Sequence, residues 1–274
     1  MTSMRSESSF GASSETAPPV PRTVLVTGAG RGIGRAVALD LARLPDLSLV
    51  LVSRTETCEA TAAACNDVRA GSARALRLNL GAWTTEAARL GPILDAAPGP
   101  LALVHAAGVL GPTGPFAGND LAAWWSAFEM NLGATVRLTH AALGRMTRDA
   151  AGRIVLFAGG GAAYGYPQFS SYGTAKAALV RFTETVAMEL GQSGPLITII
   201  APGANDTDML AEVRRAGGIV KTTVTIEEPC RLVRRLLTED ARGLHGRFVH
   251  VRDTWDAVSA AQLGDNHWRL RRVE

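Results

Sequence analysis

Short apolar runs recur along this chain of 274 residues, and segments of helix length separate them. The runs are rich in Leu, Ile and Val, as is typical of parallel strands that are buried on both faces. This alternation predicts an α/β fold, a doubly wound parallel sheet of about seven strands with helices on both faces. The predicted strands are residues 23–26, 47–52, 75–78, 101–104, 154–157, 196–200 and 248–251.

A glycine-rich turn follows the first run and leads into an apolar helical stretch at residues 36–44. Glycines at the carboxyl end of a first strand let the backbone approach a pyrophosphate, whose charge the N-terminus of the next helix favours. The pattern predicts a Rossmann-type dinucleotide-binding and catalytic domain over residues 22–252. The residues expected to bind the dinucleotide here are Thr27, Gly28, Arg31, Gly32, Ile33 and Gly34.

The second run ends at Ser53 and Arg54, where an enzyme selective for NAD would place a carboxylate against the adenosine ribose. Arg31 projects from the glycine turn towards the same end of the dinucleotide. Two guanidinium groups match a 2′-phosphate in charge and in fork geometry, which favours NADP(H) over NAD(H). The alternative is that Arg54 is a solvated charge at the end of a strand.

Tyr172 and Lys176 form the pattern Tyr-x-x-x-Lys, which places both side chains on one face of a helix. Lys176 and Lys221 are the only lysines among 28 basic residues, so an ammonium rather than any cation is indicated at position 176. A phenol exchanges protons poorly at neutral pH unless a cation stabilises its phenolate. The pair is therefore a candidate general acid and base.

The remaining composition argues against several other classes of protein. A net charge of +3 is too small for a nucleic-acid-binding surface, and Cys58, Cys65 and Cys230 lack metal-ligand spacing. No apolar run is long enough to cross a membrane, and we expect a cytoplasmic protein. Residues 1–21 are expected to be a disordered leader. Residues 253–274 form a tail that either docks on a neighbouring subunit or over the mouth of a site, or is disordered.

With these glycines, Tyr172 and Lys176 in this order, the chain resembles the short-chain dehydrogenase/reductase family from about residue 23 to residue 251. The resemblance implies NADP(H) as the cofactor, a ketone or secondary alcohol as the substrate, and a homodimer or homotetramer. It also implies a role for Asn131 in holding a proton-relay water, so that Tyr172, Lys176 and Asn131 are the expected catalytic residues. Further cofactor contacts are implied at Asn79, Leu80, Ala106, Ala107, Gly108, Tyr172, Lys176, Pro202, Gly203 and Thr207.

The chain departs from the family pattern at two places. His105 and Ala106 replace two asparagines, which puts the support of the sheet in doubt. The catalytic serine, expected thirteen residues before the tyrosine (172 − 13 = 159), is replaced by Gly159. The serine would donate a hydrogen bond to the substrate oxygen, and loss of one such donor costs on the order of 10²-fold in rate. The candidate replacements for this donor are the backbone of the three consecutive glycines at 159–161, the Ser171 hydroxyl or a water. The expected substrate-binding residues are Gly159, Gly160 and Tyr166.

The sequence thus predicts an NADPH-dependent ketoreductase or alcohol dehydrogenase, and its Ala- and Arg-rich composition is associated with secondary metabolism. We expect residues 208–225 to form a lid over the substrate, although a plain surface helix and loop is the alternative. Two other functions stay open. One is a non-catalytic NADP(H)-binding regulator, and the other is an epimerase or dehydratase of nucleotide-linked sugars.

Overall fold

The structure, a computed structural model, describes residues 20–146, 151–220, 223–256 and 263–271. Residues 1–19 of the predicted leader lie outside the described residues. Within the described part, the strands are β1 (Thr23–Thr27), β2 (Ser48–Ser53), β3 (Ala73–Arg77), β4 (Leu101–His105), β5 (Arg153–Phe157), β6 (Leu196–Ala201) and β7 (Phe248–His250). They form one parallel sheet in the order β3-β2-β1-β4-β5-β6-β7, which confirms the predicted fold class.

Helices connect the strands and cover the sheet on both faces. The α-helices are α1 (Gly32–Leu41), α2 (Thr57–Val68), α3 (Trp83–Asp95), α4 (Leu121–Phe128), α5 (Ala134–Leu143), α6 (Ser170–Leu190), α7 (Asp208–Arg215) and α8 (Glu227–Thr238). Helix α1 begins at Gly32, earlier than the predicted stretch at 36–44, because the glycine turn itself supplies the first helical residues. None of the helices in the described ranges combines the length and hydropathy needed to cross a membrane.

The strands are buried on both faces because alternate side chains enter two different apolar cores. In β1, Val24 and Val26 pack into a core with α1, α2 and α8, whereas Leu25 packs into the opposite core with α3, α5 and α6. All three side chains are 0% exposed, and full burial of such a side chain contributes about 1.5–3 kcal/mol. This burial explains why the strands read as continuous apolar runs rather than as alternating patterns.

The order of the strands reverses between β1 and β4. The chain crosses from β1 to β2 and β3 on one side of the sheet and then returns to place β4 on the other side of β1. The loops after β1 and β4 therefore diverge from the same edge. A crevice at the carboxyl ends of the strands forms at such a reversal, and it is the usual ligand site of an open α/β sheet.

The described part of the C-terminal tail packs on its own chain. Trp255 and Leu263 are buried in the core beside α8, and the Trp268 carbonyl accepts a hydrogen bond from the Phe248 amide at 2.7 Å. The buried carboxylate of Glu184 on α6 pairs with the tail through Arg271 at 2.6 Å. These contacts show an intramolecular arrangement that the sequence did not reveal. Residues 257–262 and 272–274 lie outside the described residues.

Candidate active site

Two adjoining cavities open at the carboxyl edge of the sheet. The first, which we term the loop cavity, has a volume of about 710 Å³ and extends along the glycine turn and the end of β2. The second, the tyrosine cavity, has a volume of about 550 Å³ and contains Tyr172 and Lys176. Both are lined by Ile33, Ala106, Gly108, Leu110, Thr207 and Met209. Because they share these walls, one elongated ligand can occupy both.

The glycine turn is a compact loop that only glycine can form at its key positions. Gly28 has a φ of +65°, and a Cβ there would lie 2.8 Å from the backbone nitrogen of Ala107. Gly32 also has a positive φ, of +54°. At Gly34 a Cβ would overlap the carbonyl of Gly28. The turn therefore presents backbone rather than side chains to the loop cavity, as the pyrophosphate interpretation requires.

Behind the turn, Thr27 and His105 tie the ends of β1 and β4 together. The Thr27 Oγ1 and His105 Nδ1 atoms lie 2.8 Å apart, and the Ala107 amide donates to the same Oγ1 at 3.3 Å. Burial, followed by the charge of Lys176, lowers the pKa of His105 to about 3, so the imidazole is neutral. His105 thus supports the sheet in place of an asparagine. Thr27 is fully buried and lines neither cavity, so its contribution is to position the loop.

The end of β2 carries a cluster of hydroxyl groups beside two arginines. Ser53 Oγ donates to the Thr55 carbonyl at 2.6 Å, and the Thr55 and Thr57 hydroxyls lie 3.0 Å apart. Arg54 and Arg31 line the same cavity. The exposed Arg31 guanidinium pairs with Asp208 at the start of α7, at 3.1 Å. This pair joins the glycine turn to the predicted lid.

A carboxylate does occur close to Arg54 in sequence, but it points elsewhere. Glu56 pairs with Arg77 at 3.4 Å and does not line the loop cavity. Across the cavity, the Asn79 carboxamide oxygen accepts a hydrogen bond from the Gly81 amide at 3.1 Å, which fixes the turn that presents Asn79 and Leu80. This end of the loop cavity is therefore lined by hydroxyl, amide and guanidinium groups, at the ends of β2 and β3.

Tyr172 and Lys176 are buried together on α6. The Lys176 Nζ donates to the Phe157 carbonyl at 2.8 Å and lies 5.6 Å from the centre of the Tyr172 ring. Burial lowers the pKa of Lys176 to about 8. Burial, followed by the neighbouring Tyr166 phenol, raises the pKa of Tyr172 to about 12. The pKa of Tyr172 in the protein chain by itself is thus raised, whereas we expected Lys176 to lower it, and the main cause is burial.

Asn131 lies in a π-helical turn, Glu129–Gly133, between α4 and α5. Its amide nitrogen donates to the Val109 carbonyl at 2.8 Å, and its carboxamide oxygen accepts from the Val109 amide at 3.1 Å. The side chain lines neither cavity. Within this structure Asn131 holds the loop after β4 against Lys176. Gly108 belongs to this loop, and a Cβ there would lie 3.0 Å from the Asn131 carboxamide oxygen and 3.6 Å from the Lys176 Nζ.

Gly159, where the serine was expected, lies directly against the Tyr172 phenol. A Cβ at this position would overlap the Tyr172 hydroxyl and would lie 2.9 Å from two carbons of its ring. The backbone of Gly159 is extended, so the constraint is steric. Ser171, one of the proposed replacements, is fully buried and donates to the Trp124 carbonyl at 2.8 Å. Its hydroxyl is therefore not available to a substrate.

The rest of the tyrosine cavity is largely apolar. All three tyrosines of the chain line it, together with Gly159 and Gly160. The cavity is also lined by Met209, Leu210, Ile219 and Val220 from the predicted lid and by Pro202, Gly203 and Thr207. Lys221 and Thr222 of the lid segment lie outside the described residues.

Asn205 and His250 are two polar lining residues that the sequence did not indicate. The Asn205 side chain donates to the Pro202 carbonyl at 2.7 Å and thereby shapes the segment after β6. His250 is the last residue of the short strand β7, and burial lowers its pKa. Asn205 lies in the Pro-Gly-x-Asn stretch, two residues before Thr207. Its position beside this motif is the sequence signal that could have identified it as a lining residue.

Comparison with known proteins agrees with this architecture. The family model described as short chain dehydrogenase matches residues 22–217. The short-chain reductase protein NovJ of Streptomyces niveus is 33% identical over 208 residues, which are 76% of this chain and 78% of NovJ. The 3-oxoacyl-acyl-carrier-protein reductase FabG of Pseudomonas aeruginosa is 32% identical over 197 residues, which are 71% of this chain and 78% of FabG.

A solved structure from Beutenbergia cavernae gives the same result for the fold. It is described as an NAD(P)-dependent gluconate 5-dehydrogenase with bound NADP, and it superposes with a TM-score of 0.78 at 26% identity. The superposition covers 88% of this chain and 99% of that one. From the family match, the sheet order and the Tyr172–Lys176 pair beside the glycine turn, we conclude that the chain belongs to the short chain dehydrogenase family of oxidoreductases.

Proposed function

We propose that this protein is an NADPH-dependent ketoreductase, which transfers a hydride between NADP(H) and a ketone or secondary alcohol. The observation that carries the proposal is the burial of Tyr172 and Lys176 beside a cavity that adjoins the glycine turn. A proton-transfer pair without a neighbouring dinucleotide site would suit many enzymes. The two together suit hydride transfer coupled to protonation of an oxygen.

The loop cavity has the chemistry that a dinucleotide phosphate requires. Gly28 and Gly32 keep side chains away from the backbone that would face a pyrophosphate, and both have the positive φ that this loop needs. At the ribose end, Arg54 and Ser53 occupy the place of an acid, and Arg31 lines the same wall. The guanidinium groups thus favour a 2′-phosphate there by charge and by fork geometry, which is the basis for preferring NADP(H). The bound NADP in the Beutenbergia cavernae structure supports this choice.

A bound nicotinamide supplies the hydride, and the side chains of this protein handle the proton. With its pKa raised to about 12, Tyr172 is a phenol at neutral pH. An alkoxide is a stronger base than a phenolate, so the phenol gives its proton to the oxygen of a newly reduced carbonyl. The protonated resting state favours reduction of a ketone over oxidation of an alcohol at neutral pH.

Lys176 restores the proton that Tyr172 loses. Its ammonium has a pKa of about 8, close to the working range of a proton donor at neutral pH. One of its three donors is held by the Phe157 carbonyl, which fixes Nζ near the tyrosine ring. Asn131 contributes by holding the loop after β4 in contact with this ammonium.

We also propose that the protein is a homo-oligomer. Phe116 and Trp125 are each 59% exposed, and Leu121 beside them is 56% exposed. Trp125 stacks edge-on against Trp124 and Phe128, so the exposed group is a contiguous aromatic surface on and before α4. Such patches are uncommon on monomers, which supports self-association. Light scattering of the purified protein measures the subunit number.

The experiment combines cofactor titration with turnover. NADPH should bind at least about tenfold more tightly than NADH in fluorescence titrations, and Arg54→Ala should remove that preference. With a panel of cyclic, polycyclic and sugar-like ketones, the wild type should oxidise NADPH, and Tyr172→Phe should abolish turnover while leaving NADPH affinity within a few-fold. Equal affinities for the two cofactors would contradict the NADP assignment. Turnover that survives in Tyr172→Phe would contradict the assignment of the catalytic site.

A further inference from the structure

The tyrosine cavity lacks a side-chain donor at the position where a serine was expected. Gly159 cannot simply have lost a hydroxyl, because Tyr172 fills the space that a Cβ would need. The serine hydroxyls on the adjacent helix are also engaged. Ser171 donates to the Trp124 carbonyl, and Ser170, which accepts from the Trp124 indole at 2.9 Å, does not line the tyrosine cavity. A side-chain donor for a substrate oxygen therefore comes from another element.

Tyr166 is a second phenol in this cavity, six residues before Tyr172 in the chain. Its ring stacks on the fully buried ring of Phe169, with centroids 4.6 Å apart and an interplanar angle of 22°. The Phe169 amide donates to the Tyr166 carbonyl at 3.2 Å, which closes the turn around this pair. The ring is thus held on a rigid support rather than on a free loop.

The Cβ end of the Tyr166 side chain also packs on the Gly159–Gly161 run. A Cβ on Gly161 would lie 3.3 Å from the Tyr166 Cβ, so glycine at this position makes room for the tyrosine. A Cβ on the neighbouring Gly173 of α6 would likewise lie 3.8 Å from the Tyr166 Cβ. The run Gly159–Gly160–Gly161 therefore accommodates two tyrosines, with Tyr172 against its first residue and Tyr166 against its third.

Tyr166 has a free hydroxyl in the correct protonation state. No hydrogen bond to its hydroxyl is made by any residue that the structure describes. Burial, followed by Tyr164, raises the pKa of Tyr166, so it stays a proton-bearing donor at neutral pH. Its side chain lines the same cavity as that of Tyr172, and its phenol contributes to the raised pKa of Tyr172.

We infer that Tyr166 is a further catalytic residue, which donates a hydrogen bond to the substrate carbonyl oxygen while Tyr172 supplies the proton. This inference rests on the proposed ketone reduction. During reduction the carbonyl carbon gains a hydride, the C=O π-electrons move to the oxygen, and Tyr172 transfers its proton to that oxygen. Tyr166 keeps its own proton and stabilises the negative charge as it develops. The arrangement replaces the missing serine with a donor from the loop between the Gly159–Gly161 run and α6.

Tyr166→Phe tests this inference, because it removes only the hydroxyl and retains the stack on Phe169. Turnover with a ketone accepted by the wild type should fall on the order of 10²-fold in kcat, with KM and NADPH affinity within about threefold. The melting temperature should stay unchanged, since the hydroxyl has no partner within the described part of the protein. Thr185→Val is the control, because it also removes one hydroxyl, from the exposed side of α6 and outside the cavity.

The outcomes separate the inference from the proposed function. Tyr172-dependent turnover together with a normal kcat in Tyr166→Phe would overturn the role of Tyr166 alone. A raised KM at unchanged kcat would also overturn it, because the hydroxyl would then bind ground state and transition state equally. If the wild type reduces no ketone in the panel, the proposed function fails and the inference fails with it. A selective loss of kcat in Tyr166→Phe, absent from Thr185→Val, supports it.

Discussion

Replacing Lys176 by Met should change how the stability of the protein depends on pH. In the folded state the ammonium is 5% exposed and its pKa is lowered by burial to about 8 from 10.5. Because the unfolded chain binds this proton more tightly, the wild-type free energy of unfolding should rise with pH between these two values. Below pH 8 the full penalty for burying the charge is present, and above pH 10.5 it is gone.

The two pKa values set the size of the effect. Between pH 7.5 and pH 9.5 the titration of Lys176 should add about 2 kcal/mol to the wild-type free energy of unfolding, an increase that Lys176→Met lacks. The substitution also leaves the Phe157 carbonyl without its donor, at a cost of about 1–3 kcal/mol that does not vary with pH. The test is therefore how the difference in free energy of unfolding between wild type and Lys176→Met changes with pH, and not its value at one pH.

Urea denaturation followed by tryptophan fluorescence measures this difference. Wild type and Lys176→Met would be unfolded at pH 7.5, 8.5 and 9.5, a range that stays below the ionisation of unfolded tyrosines near pH ~10. All other titrating groups contribute equally to both proteins. If the difference in free energy of unfolding between the two proteins stays constant within about 0.5 kcal/mol over this range, it refutes the conclusion that burial lowers the pKa of Lys176.

Two further predictions follow from the contacts of the site and of the tail. Gly159→Ala should lower kcat on the order of 10²-fold without loss of NADPH affinity, because a Cβ 2.9 Å from the Tyr172 ring must displace it by roughly half an ångström or more. Gly165→Ala, whose Cβ would meet nothing within 4 Å, is the control, and equal rates in both variants would contradict the steric argument. Glu184→Gln should lower the free energy of unfolding by about 1–2 kcal/mol at pH 7, because it breaks the carboxylate contact with the partly exposed Arg271. Since that contact lowers the pKa of Glu184, the wild-type advantage should disappear as the pH falls through the carboxyl titration, and an advantage unchanged at pH 3 would contradict this assignment.

The sheet was predictable from the sequence because its strands are buried on both faces. Residues 101–104 and 154–157 are continuous apolar runs, and the structure extends them only to β4 at Leu101–His105 and β5 at Arg153–Phe157. The glycine turn was predictable for a different reason, since positive φ at Gly28 and Gly32 leaves few other residue types. In both cases a local physical constraint restricts the amino acids at each position.

Features that depend on distant contacts were not predictable in this way. The π-helical turn at Glu129–Gly133 has no signature in the apolar pattern, although it determines where Asn131 points. The raised pKa of Tyr172 depends on how deeply α6 is buried, which the Tyr-x-x-x-Lys spacing does not encode. The pairing of Glu184 with Arg271 joins residues that are 87 positions apart. Sequence spacing identifies the members of a site more readily than it identifies their environment.

The preference for lysine at position 176 can be understood from the same environment. An arginine there would bring five donors to a place where the chain offers the Phe157 carbonyl at 2.8 Å as the acceptor. A guanidinium also cannot lose its proton, whereas the lysine, with its pKa lowered to about 8, loses the penalty of burial as the pH rises above 8. Lys176→Arg should therefore lose both stability and turnover, although the formal charge is the same. Arg181→Lys on the exposed side of the same helix is the control, and wild-type turnover in Lys176→Arg would show that position 176 needs only a positive charge.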